Sequence, residues 1–173
     1  VPGFIDCHTH YDAEVELDPA LSESLRHGVT SVVLGSCSLG LTTGTPEELA
    51  NMFCRVEAIP YDAVLKLLED KKCWETHGEY LQHLASLPLG PNVASFLGHS
   101  TLRAHVLGID RSLTRGLKPR EEEFQKMESL LEQALDQGFL GLSVQTSPWD
   151  KMGGNRDYRS RPLPSTFASW GEY

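Results

Sequence analysis

Four short apolar runs recur along the chain, spaced widely enough to leave room for helices between them. Phe4-Ile5-Asp6 is the first and Thr30-Ser31-Val32-Val33-Leu34-Gly35 the second. Asn92 to Gly98 is the third and Gly138 to Val144 the fourth. Runs that stay apolar instead of alternating read as strands buried on both faces, the pattern of parallel α/β sheets. Between them the apolar positions move to helical spacing. A short helical segment is expected around Leu21 to His27. Glu47 to Ile59 places Leu49, Met52, Phe53 and Val56 on one face and stops before Pro60, and Tyr61 to Glu69 follows as a second helix. Thr76-His77-Gly78-Glu79 has capping-box spacing and opens a helix packed through Leu81, Leu84 and Leu87. The longest helical stripe runs from Arg120 to Gln137, with Pro119 before it and Gly138 after it.

The order β-α-β-α-β-α-β places the chain in the α/β class. Two architectures satisfy it, a small doubly wound sheet or part of a (β/α)8 barrel. A whole barrel takes about 250 residues. Four strands in a chain of 173 residues correspond to roughly the first half of a TIM-type barrel. Residues 1–146 are expected to form that half. Residues 147–173, rich in Pro, Arg and Ser, are expected to be a loop after the fourth strand leading towards a missing half. The chain opens Val-Pro-Gly without Met, so natural sequence is expected to precede it.

Composition narrows the partners. With 40% hydrophobic and 23% charged residues the chain suits a soluble globular domain. Its net charge of -9 argues against nucleic acid or an anionic membrane as main partner. No run of about 18 apolar residues and no signal-peptide pattern is present. Cys7, Cys37, Cys54 and Cys73 match no CxxC element, so free thiols in a reducing, cytoplasmic setting are expected.

Chemistry concentrates where strands end. Directly after the first run, Cys7-His8-Thr9-His10-Tyr11-Asp12 carries a His-x-His pair. If the strand continues through it, His8 and His10 point to one face, and neutral imidazoles are good zinc ligands. A bare His-x-His fits two exposed loop histidines equally well. Gly35-Ser36-Cys37-Ser38 ends the second run. A lone cysteine at a strand end usually reads as a small buried hydrophobe, but in a parallel sheet or barrel the carboxyl ends share one rim, which puts Cys37 beside the pair and shifts the reading towards a ligand. After the third run, Gly98-His99-Ser100-Thr101-Leu102-Arg103 offers His99 as ligand or acid/base and Arg103 as a grip for a substrate carboxylate. Structural roles, an ion pair in the case of Arg103, compete with both. Asp6 and Asp12 flank the histidines, either orienting their second nitrogens or serving as turn and cap residues. His27, His77, His83 and His105 read as solvent-facing or packing residues.

Pro2-Gly3-Phe4-Ile5-Asp6 with His8-Thr9-His10-Tyr11-Asp12, Gly28-Val29-Thr30-Ser31-Val32-Val33-Leu34-Gly35 with Cys37, Gly98-His99-Ser100-Thr101-Leu102-Arg103 and Gly141-Leu142-Ser143 resemble the N-acyl-D-amino-acid deacylases, or D-aminoacylases, of the amidohydrolase superfamily. The resemblance covers most of residues 2 to 150. It implies a (β/α)8 barrel with a small flanking β-sandwich, and one or two zinc ions held by His8, His10 and Cys37, with Cys37 able to bridge two metal positions. It further implies hydrolysis of linear N-acyl amino acids by zinc-activated water. Two more histidines and a general-base aspartate are expected beyond residue 173, so the segment alone is expected to be inactive, and association with the missing half-barrel or a homo-oligomer is expected. A cyclic-amide hydrolase resembling dihydropyrimidinase, or a degenerate non-catalytic homologue, are the alternatives; Cys37 in place of a lysine argues against the first. Ser36 and Ser38 depart from the family's Gly-Asn-Cys-Gly, and Val144 to Trp149 replace its glycine and tyrosine. A different acyl or side-chain pocket is therefore expected.

Overall fold

The computed structural model describes residues 2–173. Strands β1 (Phe4–Asp6), β2 (Val29–Leu34) and β3 (Asn92–Ser95) lie side by side in that order, all parallel. A second parallel pair joins β4 (Leu97–Gly98) to β5 (Leu142–Ser143). The third apolar run is thus one extended stretch that changes neighbour at Phe96. The Phe96 N–H donates to the Leu34 carbonyl at 3.0 Å, and the next residue, Leu97, donates to Gly141 at 2.9 Å. The break follows from a close approach. Gly35 has a φ of +73°, and a Cβ there would lie 2.1 Å from the Phe96 oxygen. Only glycine lets β2 leave the ladder at this point. The fourth run is shorter as a strand than its apolar length suggests. Gly138 (φ +110°) caps the preceding helix and Gly141 (φ +152°) bends the chain, leaving two residues to pair.

Helices fill the intervals. After the short α1 (Glu14–Leu17) and α2 (Ser22–Arg26), α3 (Pro46–Phe53) opens with a capping box. Thr45 accepts from the Glu48 N–H at 3.2 Å, and Glu48 accepts from the Thr45 N–H at 2.9 Å. The helix expected to reach Ile59 stops six residues short, at Phe53. There the chain closes a turn in which the Ile59 N–H returns to the Cys54 carbonyl and Ala58 takes a φ of 54°. Next come α4 (Tyr61–Lys71) and α5 (His77–Ser86), whose Thr76–Glu79 box is formed as the spacing predicts. α6 (His99–Leu107) and α7 (Ile109–Ser112) stand where the sequence showed no helical stripe. The reason is chemical: α6 buries Ser100, Thr101 and Arg103 as well as Leu102 and Leu107, so polar residues occupy core-facing positions. α8 (Glu121–Gln137) closes the set.

The core lies between strands and helices, with Leu34, Leu41, Leu49, Phe53, Leu68, Trp74, Tyr80 and Leu97 essentially inaccessible to solvent. Each such side chain contributes about 1.5–3 kcal/mol relative to exposure. The reading of strands buried on both faces holds for Val32 to Leu34 and fails for β1, where Phe4 and Ile5 remain 68% and 70% exposed. β1 is an open edge of its sheet. Residues 147–173 fold back over α6. Two single-turn 3-10 segments, Pro164–Phe167 and Trp170–Glu172, pack there. Among the described residues no helix is long and apolar enough to cross a membrane.

Candidate metal centre

β1 ends at Asp6, so His8 and His10 lie beyond the strand, and strand alternation does not bring them together. Their segment is tethered to the end of β2 instead. The Thr9 N–H and its Oγ1 both donate to the Val33 carbonyl, at 3.2 and 2.7 Å. Two residues past His10, the buried Asp12 accepts from the Gly35 N–H at 3.1 Å. These bonds flank His10 on both sides and lay the His-x-His pair against the turn that carries Cys37.

That turn is strained. Cys37 and Ser38 are consecutive non-glycine residues at φ of 54° and 65°, a left-handed conformation that costs roughly 1–2 kcal/mol per residue. Serine hydroxyls hold it. The Ser38 N–H donates to Ser143 Oγ on β5, Ser143 Oγ donates to the Gly35 carbonyl, and the Ser100 N–H at the start of α6 donates to the Ser38 carbonyl. Ser38, Ser100 and Ser165 share a buried cluster of hydroxyls spaced 2.7 to 3.1 Å apart. The strain aims the Cys37 thiol at His8, with Nε2 to Sγ at 3.2 Å.

One ligand atom each from His8, His10 and Cys37 all lie within 4.8 Å of one another. The His10 Nδ1 is buried with no hydrogen-bond partner. Two imidazole nitrogens and a sulfur form a donor set suited to zinc and similar borderline ions. Burial, then the neighbouring His8, lowers the His10 pKa, against the charge of Asp150, which keeps the ring in its neutral, ligating form. Burial, then Asp150, pushes the Cys37 thiol up, against a hydrogen bond from Gln145. A divalent cation held by these residues would reverse that balance, since a coordinating thiol is deprotonated outright.

Two hollows meet here. One of about 330 Å³ is lined by His10, Cys37, Met52, Arg55, Trp149 and Asp150. Another, of about 480 Å³, touches His8, His10, Tyr11, Glu14 and Glu57. Two carboxyls lie near the second, the buried Asp12 and the half-buried Glu57. Burial raises Asp12 to about 7, opposed by its Gly35 hydrogen bond. Burial, then the charge of Asp12, raises Glu57 to about 8. Asp12 therefore fixes backbone and does not touch an imidazole nitrogen. Asp6 accepts from the His8 backbone N–H at 3.3 Å, as a turn residue does.

His99 and Arg103 sit elsewhere. The Arg103 side chain is wholly buried; its Nε donates to Glu172 at 2.8 Å, and its other nitrogens donate to the Ser112 and Leu117 carbonyls. Those donors are consumed inside the fold, which leaves no fork for a substrate carboxylate. His99 is sealed behind Tyr173, ring centroids 4.8 Å apart, and both its nitrogens lack partners. Burial, then Arg103, lowers it to about 4. The sequence reading missed Gln145 and Asp150 beside Cys37, and the serines that pin its turn. No periodicity or motif spacing in the sequence marked them.

The chain as a whole is similar to known proteins. No family model matches the chain. It is 55% identical over 172 residues to an uncharacterized protein of Mycobacterium tuberculosis, an alignment covering 99% of this chain and 28% of that protein. It is 34% identical over 146 residues to a D-aminoacylase of Alcaligenes xylosoxydans xylosoxydans, covering 83% of this chain and 26% of the enzyme. A solved D-aminoacylase with a binuclear metal centre matches with a TM-score of 0.70 at 29% identity, over 99% of this chain and 30% of its own. The chain spans less than a third of the length of these relatives.

Proposed function

This chain is homologous to the N-acyl-D-amino-acid deacylases of the amidohydrolase superfamily, and from that premise we propose that it forms the first half of a (β/α)8 barrel in a zinc-dependent hydrolase of linear N-acyl amino acids. The single observation that carries the reading is the convergence of His8, His10 and Cys37 from two different strand ends.

Support for the half-barrel comes from strands that run parallel in sequence order, with both outer edges apolar and uncovered. Phe4 and Ile5 are exposed at one edge, Leu140 and Val144 at the other. Unpaired edges of this kind call for further strands, supplied by the remainder of the longer relatives. In this reading the whole protein would carry two further histidines and a general-base aspartate outside these residues, and residues 1–173 alone would be inactive.

In this scheme His8, His10 and Cys37 hold the metal, one ion or two. Bound zinc supplies Lewis-acid activation of water and of an amide carbonyl. The chain's own residues position it. Thr9 and Asp12 lock the imidazole segment to β2, and the serine cluster holds the thiol in reach. The 330 Å³ hollow, with Arg55 and Asp150 offering charge of both signs, fits a small polar substrate. Metal analysis of the whole protein, combined with release of free amino acid from N-acyl-D- and N-acyl-L-substrates, tests the proposal. Bound zinc with hydrolysis of linear substrates is the expected result; bound zinc without hydrolysis of either series refutes the deacylase assignment.

A further inference from the structure

A second constellation lies on the outer helical layer, built from three separate elements. Cys73 lies just beyond α4 and is exposed. Its Sγ lies 3.6 Å from Nδ1 of His83, on α5. The other ring nitrogen, Nε2, is 3.0 and 2.8 Å from the two carboxylate oxygens of Glu16, on α1. A carboxylate only accepts, so Glu16 fixes the imidazole proton on Nε2 and leaves the Nδ1 lone pair facing the thiol. Trp74 holds the ring from its flat side, centroids 4.6 Å apart, and is itself anchored by a 2.8 Å hydrogen bond from its Nε1–H to the Leu41 carbonyl. Thiol, base and orienting carboxylate stand in line, which is the arrangement that activates a nucleophile. No other cysteine shares it: Cys54 is buried, Cys37 faces the metal centre, and Cys7 is exposed with no imidazole in hydrogen-bond reach among the described residues.

We propose that Cys73 is a nucleophilic thiol that exchanges with low-molecular-weight disulfides, with His83 as its base and Glu16 fixing the tautomer of that base. Cys73 lies on the open surface instead of in a cleft, so its co-reactant is a small molecule that needs no pocket. The exchange balances without an external oxidant. Sγ attacks one sulfur of R–S–S–R, the new S–S bond forms as the old one breaks, and the thiol proton passes to His83 Nδ1. That proton then goes to the departing RS⁻, leaving Cys73–S–S–R and RSH. The proposal does not depend on the metal centre, and its test reads no hydrolysis.

The whole protein is exposed to oxidised glutathione, quenched, digested and mapped by mass spectrometry for the mixed disulfide at each cysteine over time. Cys73 is expected to react ahead of Cys7. His83→Ala is expected to slow Cys73 by about tenfold or more, below the full effect of a positioned general base, without changing Cys7. Glu16→Gln, which keeps the shape but frees the tautomer, is expected to slow it by a smaller factor. Equal rates at Cys73 and Cys7 in the unaltered protein, or a Cys73 rate unmoved by His83→Ala, overturn the proposal. Modification of the buried Cys54 marks a variant that has unfolded; the Cys73 to Cys7 ratio of the unaltered protein then decides.

Discussion

His10 and His99 each stand close behind a parallel strand, and each looked like chemistry in the sequence; the fold gives them opposite fates. At the first strand end the chain continues as an irregular segment tied to β2, and the imidazoles stay at least partly exposed beside a thiol. At the third, α6 begins at His99 itself, which carries the ring out of the strand path and under Tyr173. Arg103, one turn further along α6, then bolts the C-terminal turn down through Glu172. The backbone just past each strand makes the difference. A loop leaves side chains at the rim, whereas an immediate helix turns them into the packing layer.

That contrast makes opposite demands on variants of the two ends. The largest effect belongs to the sealed end. Arg103→Ala leaves the buried Glu172 without its cationic partner, held only by Ser169, and is expected to destabilise the protein by about 3–5 kcal/mol, read by chemical denaturation, while the folded variant is expected to bind zinc as the parent does. The open end behaves in reverse. Cys37→Ser is expected to weaken zinc binding by on the order of a hundredfold or more, since a four-ligand zinc site is worth about 10–16 kcal/mol in all. Its melting temperature without metal should stay close to that of the parent, as measured by calorimetry beside a zinc titration.

A subtler separation comes from pH. Asp12 and Glu57, raised to about 7 and about 8, keep protons in the fold that the unfolded chain has already released. The folded state then binds more protons, so their contribution to stability, complete below the ordinary carboxylate range, is lost as pH rises through 8. The loss starts above the ordinary carboxylate range, but His77 and His99, lowered to about 4, add stability as pH rises to the ordinary imidazole value of about 6.5, so unfolding free energy should fall unopposed only between about pH 6.5 and 8. Glu57→Gln should flatten that slope, and a slope equal to the parent's would remove the carboxyl pair from the account. The smallest effect is expected at the sealed ring. His99→Phe replaces a ring whose two nitrogens have no partners by one of similar volume, so stability should move by less than about 1.5 kcal/mol and zinc affinity not at all. A lost zinc site in His99→Phe would erase the distinction between the two ends.

The parallel α/β order, the Thr76 capping box and the long α8 were legible in the sequence because each rests on local periodicity or spacing. The failures trace to a local turn in one case and to tertiary contact in the others. α3 ends early because Ala58 closes a turn, and the third run splits because Gly35 crowds Phe96. α6 hid because its core-facing positions are serine, threonine and arginine satisfied by distant partners. At the candidate metal centre the residue types were readable in His8, His10 and Cys37. The device that joins them was not: Thr9 and Asp12 bind backbone more than twenty residues away, and Ser165 reaches Ser38 across 127 positions.

Cobalt(II) substitution tests the central claim most directly, because a thiolate on cobalt gives a charge-transfer band that imidazole alone does not. The whole protein loaded with cobalt is predicted to show that band, and Cys37→Ser to lose it while retaining its far-ultraviolet circular dichroism. A cobalt spectrum without the thiolate band, or one unchanged by Cys37→Ser, would contradict a metal held jointly by His8, His10 and Cys37.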